Sequence, residues 1–202
     1  ASSPDRALRI AAVVTLRRMG NPGVAKFLND ADEFVVTEAA RAINDDLSIK
    51  DALPALAGLL TTTRFTNEAL LRRVISANLR TGTPENLQNL ISFAQQDGKP
   101  VAMRAEAIDA ISVWAKPSVL DRVDGRLRGP VTRDAAPVIS QSAPALTALV
   151  KNREMPVRIS AVKAISKLHI KNASAPLLSV LKNDKAPEMR VEALKALVAL
   201  QD

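Results

Sequence analysis

His169 is the single histidine of the 202-residue chain, and there is no cysteine. A His cluster or a thiolate set for a metal is therefore excluded, as are a disulfide framework and a cysteine nucleophile. Any catalytic triad would have to use His169, which follows a helical segment and precedes Ile170 and Lys171, a place suited to closing a helix C-terminus. Asp30, Asp32 and Glu33 lack the spacing of a calcium loop, and neither a Gly-rich phosphate loop nor an HExxH motif occurs. No catalytic residue is assigned and no cofactor is expected. What remains is arginine chemistry, a planar donor fork that pairs with carboxylates and carbonyls. Arginines occupy two settings: fixed places in recurring segments (Arg9, Arg104, Arg158, Arg190), and a cluster of Arg122, Arg126, Arg128 and Arg133.

The recurring segments are LRIAAVVTL from Leu8, MRAEAIDAI from Met103, VRISAVKAI from Val157 and MRVEALKAL from Met189. In each, a basic residue is followed by a small one three positions on and by Leu or Ile seven positions on, offsets that share one helical face. Two weaker copies are anchored at Val36, with Ala39 and Ile43, and at Arg72, with Ile75 and Leu79. Between the copies lie shorter apolar helices: Pro22 to Asn29, a stripe of Leu53, Leu56, Leu59 and Leu60, another of Leu87, Leu90 and Ile91, Ala143 to Val150, and Ser174 to Leu181. Ser3 before Pro4 reads as the first N-cap, and Ser48 with Asp51 as a capping box. Repetition at such a period marks units that cannot bury their own apolar faces and must stack to do so. The expected fold is an all-α solenoid, a superhelix of about six helix pairs. Residues 1–202 are read as one domain, and, since the first helix begins at once and the last lacks a polar cap, as a piece of something longer.

One interval between anchors, from Arg104 to Arg158, is 54 residues, 22 more than a period of 32. The surplus falls in 115–136, where Pro117, Pro130, Gly125 and Gly129 oppose a continuous helix. Trp114 is expected to tuck over the gap between repeats, with Arg122, Arg126, Arg128 and Arg133 facing outward toward an acidic partner or a neighbouring domain. The charge is uneven: residues 1–100 carry 12 basic and 11 acidic side chains, residues 101–202 carry 16 and 10. On the repeated helices the solvent-facing offsets include Arg41, Lys163, Lys167 and Lys195, interleaved with Glu38, Glu106, Asp109 and Glu192. Alternating signs without aromatics argue against a groove for nucleic-acid phosphates. No run of apolar residues is long enough to span a membrane.

Helix pairs every thirty or so residues, with an Arg-anchored stripe of Ala and Leu, resemble the HEAT family, particularly its short bacterial kind. The resemblance implies that Arg9, Arg104, Arg158 and Arg190 are structural, each paired with an acid of an adjacent turn. Asp97, Glu154 and Asp184 are the candidates, and Val36 breaks the ladder. The stretch WAKPSVLDRVDGRLR also resembles a tract in large secreted bacterial proteins that join a sugar-dehydrogenase-like propeller, HEAT repeats and a cytochrome c domain. That likeness implies a spacer in an extracytoplasmic, redox-active parent, in the periplasm or outside the cell. The function expected is a non-catalytic interaction scaffold or spacer whose partners are proteins or neighbouring domains. A nucleic-acid-binding array and a bilin-lyase-like enzyme are the alternatives.

Overall fold

In the computed structural model, which describes residues 2–45 and 49–201, every regular element is helical apart from one isolated antiparallel bridge between Leu120 and Leu127. The helices are α1 (Arg6–Arg18), α2 (Glu33–Asn44), α3 (Leu53–Thr62), α4 (Glu68–Thr81), α5 (Pro84–Gln95), α6 (Val101–Ser112), α7 (Ala135–Leu149), α8 (Met155–Lys167), α9 (Ser174–Asn183) and α10 (Pro187–Gln201). Short 3-10 segments cover Pro22–Asn29, Lys50–Ala52 and Lys171–Ala173. None of these helices is long and apolar enough to cross a membrane. The chain divides into two compact units, Ala1–Asn89 with Ser118–Gly129, and Leu90–Pro117 with Pro130–Asp202.

The recurring segments form α1, α2 and α4 in the first unit and α6, α8 and α10 in the second. Within each unit these signature helices pack side by side in chain order. Shorter helices back them: Pro22–Asn29 lies against α2, α3 against α4, α7 against α8 and α9 against α10. Six offset positions after the anchor the residue is Thr15, Ala42, Ala77, Ala110, Ala164 and Ala196. The five alanines are all buried. A side chain this small lets neighbouring helix axes approach closely, which is why so aliphatic a sequence suffices without aromatic bulk.

In α4 the repeat register falls on Leu71 instead of Arg72. Three residues take a left-handed backbone where a signature helix ends: Gly20 (φ 61), Gly82 (φ 70) and His169 (φ 51). Gly20 and His169 lie eleven positions after Arg9 and Arg158, and Gly82 lies eleven after Leu71. Leu71 is buried, whereas Arg72 is exposed and reaches Glu68 of its own helix at 3.8 Å. At the seventh offset α4 then carries Asn78, fully buried, in place of Leu or Ile. Its amide donates to the carbonyls of Ala57 (2.9 Å) and Val74 (2.8 Å) and its oxygen accepts from Asn86 (3.1 Å), so this polar core position is satisfied.

Each signature helix needs a turn that starts it, and four of those turns are built alike. Six positions before the anchor, Ser3, Asp30, Asn152 and Asp184 accept from the amide two residues on, at 3.2, 2.9, 3.0 and 3.0 Å. Ser3 is thus part of the turn, and the N-cap of α1 is Asp5, which accepts from the Ala7 amide at 2.7 Å. Ser48 of the expected capping box lies outside the described residues. Helix α7 begins at Ala135, eight residues earlier than Ala143. Asp134 caps it by accepting from the Ala136 amide, and Pro137 falls in the first turn, where no intrahelical donor is lost. The irregular segment therefore spans 113–134.

At the end of α8 the His169 amide donates to the Ser166 carbonyl and the Ile170 amide to the Ile165 carbonyl, the same pair of bonds that Gly20 and Asn21 make after α1. This is a Schellman closure, and His169 carries the Cβ penalty that glycine avoids. The lone histidine is placed by helix termination. His169→Gly is expected to raise stability by about 0.5–1 kcal/mol, the relief of left-handed strain less the greater freedom of glycine in the unfolded chain. A urea titration checks this, with an unchanged or lowered midpoint as the contrary result.

Candidate binding surfaces

The anchor arginines are held within the repeats. Arg9 lies 2.8 Å from the Asp30 carboxylate, and one terminal nitrogen donates to the carbonyls of Ser3 (2.8 Å) and Pro4 (3.1 Å). Arg104 is wholly buried; Nε donates to the Ala94 carbonyl at 2.9 Å and Nη1 stands 2.9 Å from Asp97, the acid expected for it. Arg158 donates through Nε to the Val150 carbonyl (3.1 Å) and pairs with Asp184, in the turn that follows, where Glu154 was the expected partner. Arg190 takes the backbone carbonyls of Asp184 (2.8 Å) and Lys185 (3.3 Å), because the Asp184 carboxylate is committed to Arg158. The acid six positions before one anchor thus serves the arginine of the preceding repeat in both Arg9–Asp30 and Arg158–Asp184. Val36 is buried, and no arginine is needed at its turn.

Both turn acids of the second unit are held below the usual carboxylate range. For Asp97 the side-chain bond from Asn152 contributes most and the Arg104 charge next. For Asp184 desolvation pulls upward, and the Ala186 amide together with the Arg158 bond and charge outweighs it.

The insertion is ordered by charge at both levels. At its neck, in the second unit, Trp114 is buried and the Arg133 guanidinium lies over its ring, 4.8 Å from the centroid. Arg133 also donates from its side chain to the Trp114 carbonyl and from its amide to the Ala115 carbonyl, both at 2.8 Å. Burial pushes the Arg133 pKa down. At its tip, in the first unit, Asp121 is buried and accepts from the amides of Val123 (2.8 Å) and Asp124 (3.3 Å). Its other oxygen faces Ser76 Oγ (3.4 Å), Arg128 Nε (3.4 Å) and Arg80 Nη1 (3.6 Å).

Arg128 also reaches Asp124 (2.8 Å) and the Asn44 carbonyl (2.7 Å), which accepts from Arg80 too at 3.1 Å, so two guanidiniums close the C-terminus of α2. Nearby Arg73 pairs with Asp45 at 2.7 Å. Burial, and then the charge of Arg128, lower the Arg80 pKa. The expectation that all four insertion arginines face outward holds for the exposed Arg122 and Arg126. It fails for Arg128 and Arg133, which are turned inward because buried Asp121 and Trp114 supply them with partners. Arg80 and Arg73 were not singled out from the sequence, where each reads as an ordinary surface charge, and nothing there marks Asp121 and Asp45 as their carboxylate partners.

The remaining candidates lie on the accessible stripes of the signature helices. In the first unit, α2 shows Phe34, Glu38 and Arg41, with Arg41 donating to Glu38 at 2.9 Å. On α4 the stripe would continue through Ser76 and Arg80, but residues 118–129 cover it through the Asp121 contacts. In the second unit Lys163 and Lys167 on α8 and Val191 and Lys195 on α10 are exposed, with Ile159 and Glu192 half-buried beside them, and Glu106 and Asp109 on α6 are half-buried. Lys195 reaches Glu192 at 2.9 Å.

The fold is the all-α repeat class of armadillo and HEAT-like solenoids. A designed armadillo repeat protein in complex with the peptide (KR)4 matches with a TM-score of 0.60 at 18% identity, over 98% of this chain and 95% of that one. A computationally designed armadillo repeat protein for modular peptide recognition matches at 0.59 and 18%, over 98% and 95%. The archaeal HEAT-like repeats protein from Thermococcus onnurineus NA1 matches at 0.44 and 13%, over 98% and 93%. No protein family and no curated protein matches the sequence.

Asp184→Asn removes the charge that Arg158 meets in a half-buried pair and is expected to cost on the order of 1 kcal/mol near neutral pH. A carboxylate with a depressed folded pKa contributes stability above its unfolded value, and that contribution is lost as pH falls through the folded one. The gap between wild type and variant should therefore close at acid pH in paired thermal melts. A gap of constant size across the range would contradict the pairing.

Proposed function

We propose that the chain is a non-catalytic protein-interaction scaffold that binds an extended protein segment along the accessible stripe of α8 and α10. The observation carrying this reading is the contrast between the two stripes. In the first unit the chain's own residues 118–129 occupy the α4 face, while in the second Lys163, Lys167, Val191 and Lys195 are exposed along α8 and α10, with Ile159 and Glu192 half-buried beside them. A rigid helical row with regularly spaced side chains suits an extended ligand, since the repeat sets the spacing of its contacts. The peptide bound to the designed armadillo neighbour supports this mode of use. Alternating charge favours a partner segment of alternating sign over a polyanion.

Within this reading the chain serves as a spacer or docking module of a larger extracytoplasmic protein, of the kind that joins a dehydrogenase to a haem module. Support comes from the likeness of the 114–128 tract to secreted multidomain proteins. Several residues that carry the likeness build the insertion: Trp114 and Asp121 are buried, and Gly125 has φ 71.

Peptides selected from a display library against the wild-type chain test the proposal. Lys163→Glu with Lys195→Glu is expected to weaken their binding at least tenfold, and Arg122→Glu with Arg126→Glu to leave it unchanged. Loss confined to the insertion pair would overturn the assignment. Duplex DNA binding that falls steeply with salt would favour the nucleic-acid alternative.

A further inference from the structure

Residues 118–129 are seated on the first unit in a way that inverts ordinary loop packing. Val119, Leu120 and Leu127 are 43%, 50% and 74% exposed, whereas Asp121 is 7% exposed and Arg128 is half-buried. The antiparallel bridge between Leu120 and Leu127 sets both leucines on one side of the ribbon, and alternation sets Asp121 and Arg128 on the other, toward α2 and α4. There the Asp121 carboxylate meets Ser76 Oγ at 3.4 Å and Arg80 Nη1 at 3.6 Å, and Arg128 donates to the Asn44 carbonyl at 2.7 Å. No apolar side chain of the segment is fully buried, and Val123 is half-buried. A segment held by polar side chains with so little apolar burial is bound as a ligand is bound, and adds little to the core. Ser76 and Arg80 stand five and nine positions after Leu71, the places that Lys163 and Lys167 hold after Arg158, so the segment lies on the counterpart of the row that is exposed in the second unit.

We propose that the α2–α4 surface is a second recognition site, for a turn-forming protein segment that carries an aspartate and, seven residues on, an arginine, and that residues 118–129 are its tethered occupant. This rests on the reading of the helical rows as segment-binding surfaces, and it names the ligand chemistry of the first-unit row. Recognition has two parts. Ser76 and Arg80 receive the carboxylate, and the Asn44 carbonyl, at the C-terminus of α2 where a cation is favoured, receives the guanidinium. The turn fixes the distance between the two. Asp121 accepts from the amides of Val123 (2.8 Å) and Asp124 (3.3 Å), and its carbonyl accepts from the Gly125 amide (3.0 Å). Asp124 accepts from the Arg126 amide (3.0 Å) and the Arg128 side chain (2.8 Å), and Gly125 takes the left-handed backbone that closes the turn. All of these bonds lie within the segment itself, so a segment of another protein can bring the same turn. Covalent attachment gives the resident segment a high effective concentration, and a partner has to displace it.

Fluorescence anisotropy of a labelled peptide with the sequence of residues 118–129 tests this against the wild-type chain and against a variant whose residues 119–128 are replaced by Gly and Ser at equal length. The variant is expected to bind the peptide, and the wild type to bind it at least tenfold more weakly, because its own segment fills the site. Peptides carrying Asp121→Asn or Arg128→Ala should bind the variant at least tenfold more weakly than the native sequence does. Lys163→Glu with Lys195→Glu added to the variant should change nothing, which separates this site from the second-unit row. Asp121→Asn with Arg128→Ala in the chain, the loop kept at full length, provides a second open form should the replaced chain lose wild-type helical circular dichroism. Folded open forms that fail to bind the peptide would overturn the proposal. So would a wild type that binds it as tightly, and so would binding that survives both peptide substitutions or is lost with Lys163 and Lys195.

Discussion

A signature helix of this protein cannot bury both of its apolar sides within its own helix pair, and the rest of the structure answers to that constraint. Burying an aliphatic side chain contributes about 1.5–3 kcal/mol. A single pair has too little interior to collect that gain against the entropy of ordering its residues. Side-by-side placement of α1, α2 and α4, and of α6, α8 and α10, collects it repeatedly. The alanines at 42, 77, 110, 164 and 196 permit the approach, and the aliphatic residues four positions after the anchors fill it. Stability is then the sum of like interfaces between neighbours.

Charge supplies what aliphatic contact lacks, which is position. Apolar faces slide past one another at little cost, whereas an arginine that must satisfy a fixed carbonyl and a fixed carboxylate admits one arrangement. Asp30 and Asp184 each do two things: they shape the turn that starts one helix and they receive the arginine of the helix before. The insertion uses the same means at a different place. Buried Asp121 would be costly alone, and Arg80, Arg128 and two backbone amides make it tolerable. The result is a tip seated on the first unit and a neck braced by Trp114 and Arg133 in the second.

The helical class, the period and the role of the anchor arginines were legible because they repeat, and repetition averages away local noise. Leu71 was hidden behind Arg72, since a conspicuous charge one residue away satisfied the same pattern; the left-handed Gly82 is the mark that separates them. Direction was legible only in part. Asp97 lies close to Arg104 in sequence and was found, whereas Asp184 is 26 residues beyond Arg158 and an acid nearby, Glu154, looked as good. The inward turn of Arg128 could not be read at all, because it depends on Asn44, 84 residues distant. The accessible stripe was legible wherever the helices run in register, and unreadable on α4, where a loop from elsewhere covers it.

The central claim is that equivalent positions are buried by the neighbouring repeat and not by their own. Val162 and Leu194 are such equivalents, one covered and one open. Chemical denaturation of Val162→Asp and Leu194→Asp at dilute protein concentration tests it most directly. The account predicts a loss of more than about 3 kcal/mol for the first, which places a carboxylate in an apolar interface, and a change within about 0.5 kcal/mol for the second. Equal losses at the two positions would contradict it.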